Sequence, residues 1–264
     1  MIPANTHTAF LMYHELERAG RPLCSTDPGY VRYVVKEGDF RAQMDHIAAI
    51  GKRGIGVSEW CDAEDASVER SVVVTFDDGC ETDLVLAAPI LREHGFNATC
   101  YLTVDFLDRP GFLTRAQVRA LVGAGIEPGC HSMSHAYLGD LDDAGLRREI
   151  VQAKHALEHI SGVAIRSFSC PGGRYDERVL PMARAAGYDT VTTSNAVRNV
   201  HARRSDLLGR IAIMQGASLE QFVSLLDGQH AGARQLRESA LTAAKSLLGN
   251  TLYEKLRAAL LGQG

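Results

Sequence analysis

Two short strings carry residue types that could do chemistry together: Thr75-Phe76-Asp77-Asp78-Gly79 and His131-Ser132-Met133-Ser134-His135. One carboxylate and two imidazoles can hold a divalent, zinc-like ion with positions left open for water and substrate. A second, adjacent carboxylate can then take a proton from that water. His131 and His135 stand four apart, so on a helical turn both rings would face one side, and in a tight loop they stay within reach of one ion. Taken alone, such a pair reads equally well as two surface histidines on a helix. Asp77 and Asp78 would point to opposite faces of a regular strand, but Gly79 lets the backbone turn so that both address one pocket. A bare Asp-Asp-Gly is also a common turn before a helix. Pro171-Gly172-Gly173 offers a loop with little side-chain bulk, where a backbone N–H could approach a substrate carbonyl, although by itself it is a turn.

These residues need a frame, and apolar runs alternating with helical patterns supply one. Strands are predicted over 8–13, 71–76, 98–104, 125–130, 164–170, 188–193 and 208–214, and helices over 40–50, 83–94, 114–124, 142–161 and 177–186. Repeated βα units of this kind predict an α/β fold, a distorted (β/α) barrel of about seven parallel strands. In a barrel the functional groups gather on the carboxyl-terminal rim. Asp77 and Asp78 follow one predicted strand, His131 another and Pro171-Gly172-Gly173 a third, while Tyr13-His14 ends the first, so four motifs converge on one rim. Residues 15–39 lack periodicity and read as a long loop over it.

The barrel is expected over 1–215 and a helical C-terminal extension over 216–264. The extension's apolar stripe runs from Leu219 and Phe222 to Leu256 and Leu260, and its basic face carries Arg234, Arg237, Lys245, Lys255 and Arg257. Packing on the barrel is the default. Homo-oligomer contact or peripheral contact with an anionic membrane are the alternatives.

The chain has 264 residues, 45% hydrophobic and 23% charged, with a net charge of -4, which argues against a protein that grips nucleic acid by neutralising phosphates. No basic segment followed by an apolar run opens the sequence, which predicts a cytoplasmic protein, with the inner face of the membrane as the place of any peripheral contact. Cys24, Cys61, Cys80, Cys100, Cys130 and Cys170 show no CxxC spacing and read as reduced thiols.

With these motifs the sequence resembles the polysaccharide deacetylase family, carbohydrate esterase family four, whose domains remove N-acetyl or O-acetyl groups from sugars. The family's Thr-Phe-Asp-Asp-Gly stands at 75–79, its His-Ser/Thr-x-x-His at 131–135, and its proline and glycine loop at Pro171-Gly172-Gly173-Arg174-Tyr175. The resemblance implies that Asp78, His131 and His135 bind one divalent metal ion, that Asp77 is the general base, and that the Gly172 N–H and Tyr175 serve the substrate and oxyanion. Zinc is the expected ion, and cobalt, nickel or manganese also suit the ligand set. Two departures stand out. Ser169 occupies the position of the family's arginine, two residues before the third-motif proline, and no histidine follows the last strand, where many members carry their general acid. A branch of the family places that histidine in a Tyr-His pair ending the first strand, which makes His14 the expected acid here. The implied activity is removal of an N-acetyl group from an amino sugar, with a nucleotide- or lipid-linked intermediate of surface polysaccharide synthesis as the expected substrate. The same site could instead serve a non-sugar amide, formamide or cyclic ureide, or persist in a barrel that binds carbohydrate without catalysis.

Overall fold

The computed structural model describes residues 7–195, 199–200 and 206–228. Its centre is a ring of parallel strands, labelled here β1 Phe10–Tyr13, β2 Arg53–Ile55, β3 Ser71–Phe76, β4 Thr99–Leu102, β5 Glu127–Cys130, β6 Ser167–Ser169, β7 Thr190–Thr192, β8 Leu207–Leu208 and β9 Ile211–Ala212. Pairing runs β1-β3-β4-β5-β6-β7-β8. β9, two residues beyond β8, returns to β1 through Ile211 beside Leu11 and Ala212 beside Met12. One segment thus closes the ring by pairing first with β7 and then with β1. β2 adds to the lower half of β3, and the Asn97 N–H just before β4 donates to the Gly54 carbonyl, so β2 wedges β3 from β4 at their amino ends.

The strands are buried along their whole length apart from their outermost ends, as parallel strands under helices must be. Alternate residues divide between two apolar clusters, which is the period of two expected of a strand. Phe10, Val73, Tyr101 and Leu208 join Ile55, Val57, Trp60 and Val68 in the smaller cluster. Trp60 meets Phe10 edge-on at 5.0 Å, and its indole N–H donates to Thr8 Oγ1. Leu11, Tyr13, Val72, Val74 and Phe76 join the main core. There the helix Glu37–Ala49 buries Phe40, Gln43, Met44 and Ile47, spaced as one helical face.

Three expected elements differ in form. The predicted strand 208–214 is broken between β8 and β9, because the Asn199 side chain takes both backbone groups of Gly209 at 2.8 and 2.9 Å and the chain changes partner at Arg210. The predicted helices 83–94 and 142–161 each contain a π-helical turn, Asp83–Ala87 and Arg148–Gln152. The first runs into Ala88–Glu93, where Pro89 has no N–H to continue the regular pattern. The expected loop 15–39 contains a short parallel pair, Leu16–Glu17 with Val35–Lys36, and a one-turn helix Pro28–Val31.

Beyond the barrel, helix Leu219–Leu226 starts at a Ser218-Gln221 capping box and buries Phe222, Leu225 and Leu226 in the main core. The rest of the expected extension lies outside the described residues, and with it the oligomer and membrane contacts assigned to that segment. Among the described residues no helix is long and apolar enough to cross a membrane.

Candidate metal centre and its proton-handling residues

β3 delivers Asp77 and Asp78 to the carboxyl-terminal rim. The Asp77 N–H still donates to the Tyr13 carbonyl at 3.0 Å, extending the sheet by one residue. The turn then begins at Asp78 itself, with φ 76°, and continues through Gly79 at 81°. A side chain at Gly79 would place Cβ 2.8 Å from Leu102 Cδ2, so glycine is required there for space as well as conformation.

The second string is a loop rather than a helical turn. The His131 N–H donates to the Leu102 carbonyl, and Ser132 and His135 both take positive φ, 70° and 65°. Among the described non-glycine residues with positive φ, only Asp108 lies outside the two strings, so backbone strain there is concentrated at the candidate site. Glu149 holds this loop in place from the π-helical turn. It is 2% exposed; its Oε2 accepts from the N–H groups of Met133 and Ser134 at 3.0 and 2.8 Å, and its Oε1 accepts from the Ser134 hydroxyl at 2.8 Å. A π turn in a helix re-aims one side chain, here a carboxylate toward backbone donors.

Asp78, His131 and His135 converge. Asp78 Oδ1 lies 3.4 Å from His135 Nε2 and 3.7 Å from His131 Nε2. It is buried, and no hydrogen bond reaches it. Donors bound to a tetrahedral zinc-like ion at about 2.0–2.1 Å stand roughly 3.3–3.4 Å apart, close to these separations. The second ring nitrogen of His131 is set for the same purpose. His131 Nδ1 meets the Ser169 carbonyl at 2.9 Å, which places the proton on Nδ1 and leaves Nε2 free as a ligand. Burial pushes the His131 imidazole down to about 4, against the opposing pull of Asp77, so it is neutral as a ligand must be. His135 stacks on Phe106 at 5.7 Å. The residues therefore fit a divalent ion, and the orphaned Asp78 oxygen is the sign of it.

Asp77 is treated differently from its neighbour. Arg210, 1% exposed, donates from Nη1 to Asp77 Oδ1 at 2.6 Å and from Nη2 to Oδ2 at 2.8 Å. Its remaining bonds go to Thr75 Oγ1, Ser169 Oγ and the Thr193 carbonyl. Burial works to raise the Asp77 carboxyl, but Arg210, with His131 and His14, outweighs it and holds the group well below the usual carboxylate range. Arg210 was not singled out in the sequence. Its signal was a single cation inside the apolar run 207–213, and it reaches the Ser169 hydroxyl, at the position where the sequence departs from the family's arginine.

His14 stands over the same site. Its ring stacks on Tyr33 at 4.7 Å, its Nδ1 is buried without a hydrogen-bond partner, and it feels Asp78 and Asp77 electrostatically. Burial lowers its basicity while both aspartates raise it. Gly172 and Tyr175 sit on the loop after β6. Gly172 has φ 60°, and its carbonyl accepts from the Ser194 hydroxyl at 3.4 Å. Tyr175 is 36% exposed. They follow Ser169 on the same segment, and the Ser169 carbonyl meets His131.

Fold and site together define a parallel (β/α) barrel with an Asp-His-His cluster, fitted to a divalent metal, on its carboxyl-terminal rim. The polysaccharide deacetylase family model matches residues 64–191, just under half of the chain. The matched stretch includes Asp77, Asp78, His131, His135, Gly172 and Tyr175; His14 and Arg210 lie outside it. The chain is 25% identical over 159 residues to the Bacillus subtilis protein YxkH, covering 60% of this chain and 57% of the relative. It is 30% identical over 127 residues to the peptidoglycan-N-acetylglucosamine deacetylase of Bacillus cereus, covering 48% and 57%. The chain thus matches little more than half the length of either relative. Among solved structures, a Bacillus cereus polysaccharide deacetylase superposes with a TM-score of 0.72 at 24% identity, covering 84% of this chain and 69% of that one. The Streptococcus pyogenes deacetylase PplD superposes with 0.74 at 20%, covering 84% and 99%. These likenesses show the barrel fold.

Proposed function

We propose that this protein is a metal-dependent hydrolase that removes the acetyl group from an N-acetylated amino sugar. The observation that carries the reading is the pairing of an orphaned, histidine-flanked Asp78 oxygen with an adjacent Asp77 held ionised by Arg210. Asp78, His131 and His135 would hold the ion, with zinc the best match to one carboxylate and two imidazoles. When bound, such an ion polarises an acetyl carbonyl and makes a water in an open position more acidic.

The chain's own residues do the rest. Asp77 accepts the proton of the attacking water; Arg210 fixes the direction of both carboxylate oxygens and keeps them charged at any working pH. A proton taken by so weak a base is readily passed on. His14 gives a proton to the departing nitrogen, and the Gly172 N–H and Tyr175 are assigned to the developing oxyanion and the substrate. Loss of the family's usual arginine at position 169 would have favoured a binding barrel without catalysis, but Arg210 supplies the guanidinium, and a binding module has no need of a buried, charge-paired base.

The matched Bacillus cereus relative is named for N-acetylglucosamine in peptidoglycan, which supports an N-acetylated sugar as the substrate class. Within that class the expectation from the sequence is a nucleotide- or lipid-linked sugar. Carboxylate release with added zinc, acetate from N-acetyl oligosaccharides and from nucleotide-linked and lipid-linked N-acetyl sugars and formate from simple formamides, tests the reading. Release from at least one sugar, abolished by Asp77→Asn, supports it; release only from non-sugar amides, or from none, contradicts it.

A further inference from the structure

Next to the catalytic rim lies a second cluster that the proposed reaction does not use. Glu15 follows His14 at the end of β1, Cys24 lies in the rim segment after it, and Cys80 follows the Asp77-Asp78-Gly79 turn. One Glu15 carboxylate oxygen and both sulfurs lie within 4.8 Å of one another. The two sulfurs are 3.6 Å apart. Two thiolates on one zinc-like ion, each at about 2.3 Å, stand roughly 3.8 Å apart, so this separation suits a shared ion.

The independent observation is Glu15 itself. The residue is 1% exposed, and its Oε2 accepts from the Cys24 N–H and the Tyr30 hydroxyl, each at 2.9 Å. Its Oε1 is buried and accepts nothing. Among the described residues no arginine, lysine or histidine pairs with it. A buried carboxylate ordinarily has a cation or a full set of donors. Asp78 Oδ1 shows the same signature in the candidate catalytic site, where an ion accounts for it. A disulfide between Cys24 and Cys80 would use the sulfurs but add nothing to the buried Glu15 carboxylate, whereas a cation would pair with it, so a cation explains more of the cluster.

We propose that Glu15, Cys24 and Cys80 form a second metal site, for a thiolate-favouring divalent ion of the zinc class. Loading it releases the two thiol protons to solvent and involves no change of oxidation state. Its three donors join the end of β1, the rim segment and the turn that carries Asp77 and Asp78, so the ion would cross-link the surroundings of His14 to those of Asp78. The two thiolate donors favour zinc over magnesium or calcium.

Cobalt titration of the reduced, chelator-stripped full chain is the test. A thiolate ligand gives an intense near-ultraviolet sulfur-to-cobalt band, which an Asp-His-His site cannot produce. The proposal expects that band in the wild type and in His135→Ala, and its loss in Cys24→Ser and Cys80→Ser. Because a serine variant could fail to fold, alkylation of the unaltered protein gives a second readout. Cys24 is partly exposed, and zinc should slow its modification by roughly tenfold or more, since the free thiolate is the reactive form. Absence of the band, equal alkylation with and without zinc, or a Cys24–Cys80 disulfide that reductant must open before either thiol reacts would each overturn it.

Discussion

Arg210→Met is the sharpest perturbation of this site, because it removes a buried cation without opening a large cavity. In the native fold the guanidinium makes two bonds to Asp77 and three more to Thr75, Ser169 and Thr193, all out of solvent. Without it Asp77 is left charged and buried, a situation that costs about 3–5 kcal/mol. At roughly 2–4 °C per kcal/mol for a chain of this size, the melting temperature should fall by roughly 6–20 °C. The pH dependence separates this cause from simple loss of packing. Asp77 is held below its unfolded value of about 3.9, so in the wild type it contributes stability that is present above that value and lost as pH falls through the folded one. In Arg210→Met burial is opposed only by His131 and His14, so the folded value rises and the same group contributes less stability as pH rises past about 4. The gap between the two proteins should therefore widen from pH 3 to pH 7 in urea unfolding, and adding Asp77→Asn to Arg210→Met should recover part of it. A gap under about 1 kcal/mol that does not change with pH would refute the assignment of Arg210 as the partner of Asp77.

Three further outcomes follow from the same geometry. Glu149→Ala frees the backbone of Met133 and Ser134 and should weaken zinc binding at the His131–His135 loop by about 10–100-fold with the fold retained, as read by calorimetric titration of a Cys80→Ser background. His14→Ala should lower turnover by about 10²–10⁴-fold while zinc content stays at the wild-type value; a near-normal rate would remove His14 from the reaction. Asp83 is buried with one oxygen unpartnered, and burial raises its carboxyl well above the ordinary value, so it costs stability as pH climbs above its unfolded value. Asp83→Asn should accordingly gain on the wild type in urea midpoints as pH goes from 5 to 8, and a constant or shrinking difference would contradict this.

How much of this was legible in the sequence depended on whether one local rule governed the segment. Ser71–Phe76 has the bounds expected of it, because six residues fit for a buried strand end at a turn signal. The convergence of Asp78, His131 and His135 was legible because it needs only proximity, and the 131–135 spacing delivers that in a loop as well as on a helix. Arg210 was not, since its meaning depends on Ser169 and Asp77, which are distant in sequence and adjacent only once the ring closes. The break at Gly209 was hidden for a related reason: the side chain that causes it, Asn199, gives no periodic signal. The π turns escaped because an inserted residue leaves the apolar pattern of a helix nearly intact, while the effect of the second, aiming Glu149 at the loop 132–134, is tertiary.

The central claim is that Asp77 handles the proton at a metal centre built by Asp78, His131 and His135. Acetate release from an N-acetylated sugar should be measured side by side on zinc-loaded wild type, chelator-stripped wild type and zinc-loaded Asp77→Asn, with zinc content determined on each. The account predicts that stripping abolishes release, that zinc restores it, and that Asp77→Asn retains the metal of the wild type yet loses at least about 10²-fold in rate. Release that survives stripping, or an Asp77→Asn protein that turns over normally, would contradict it.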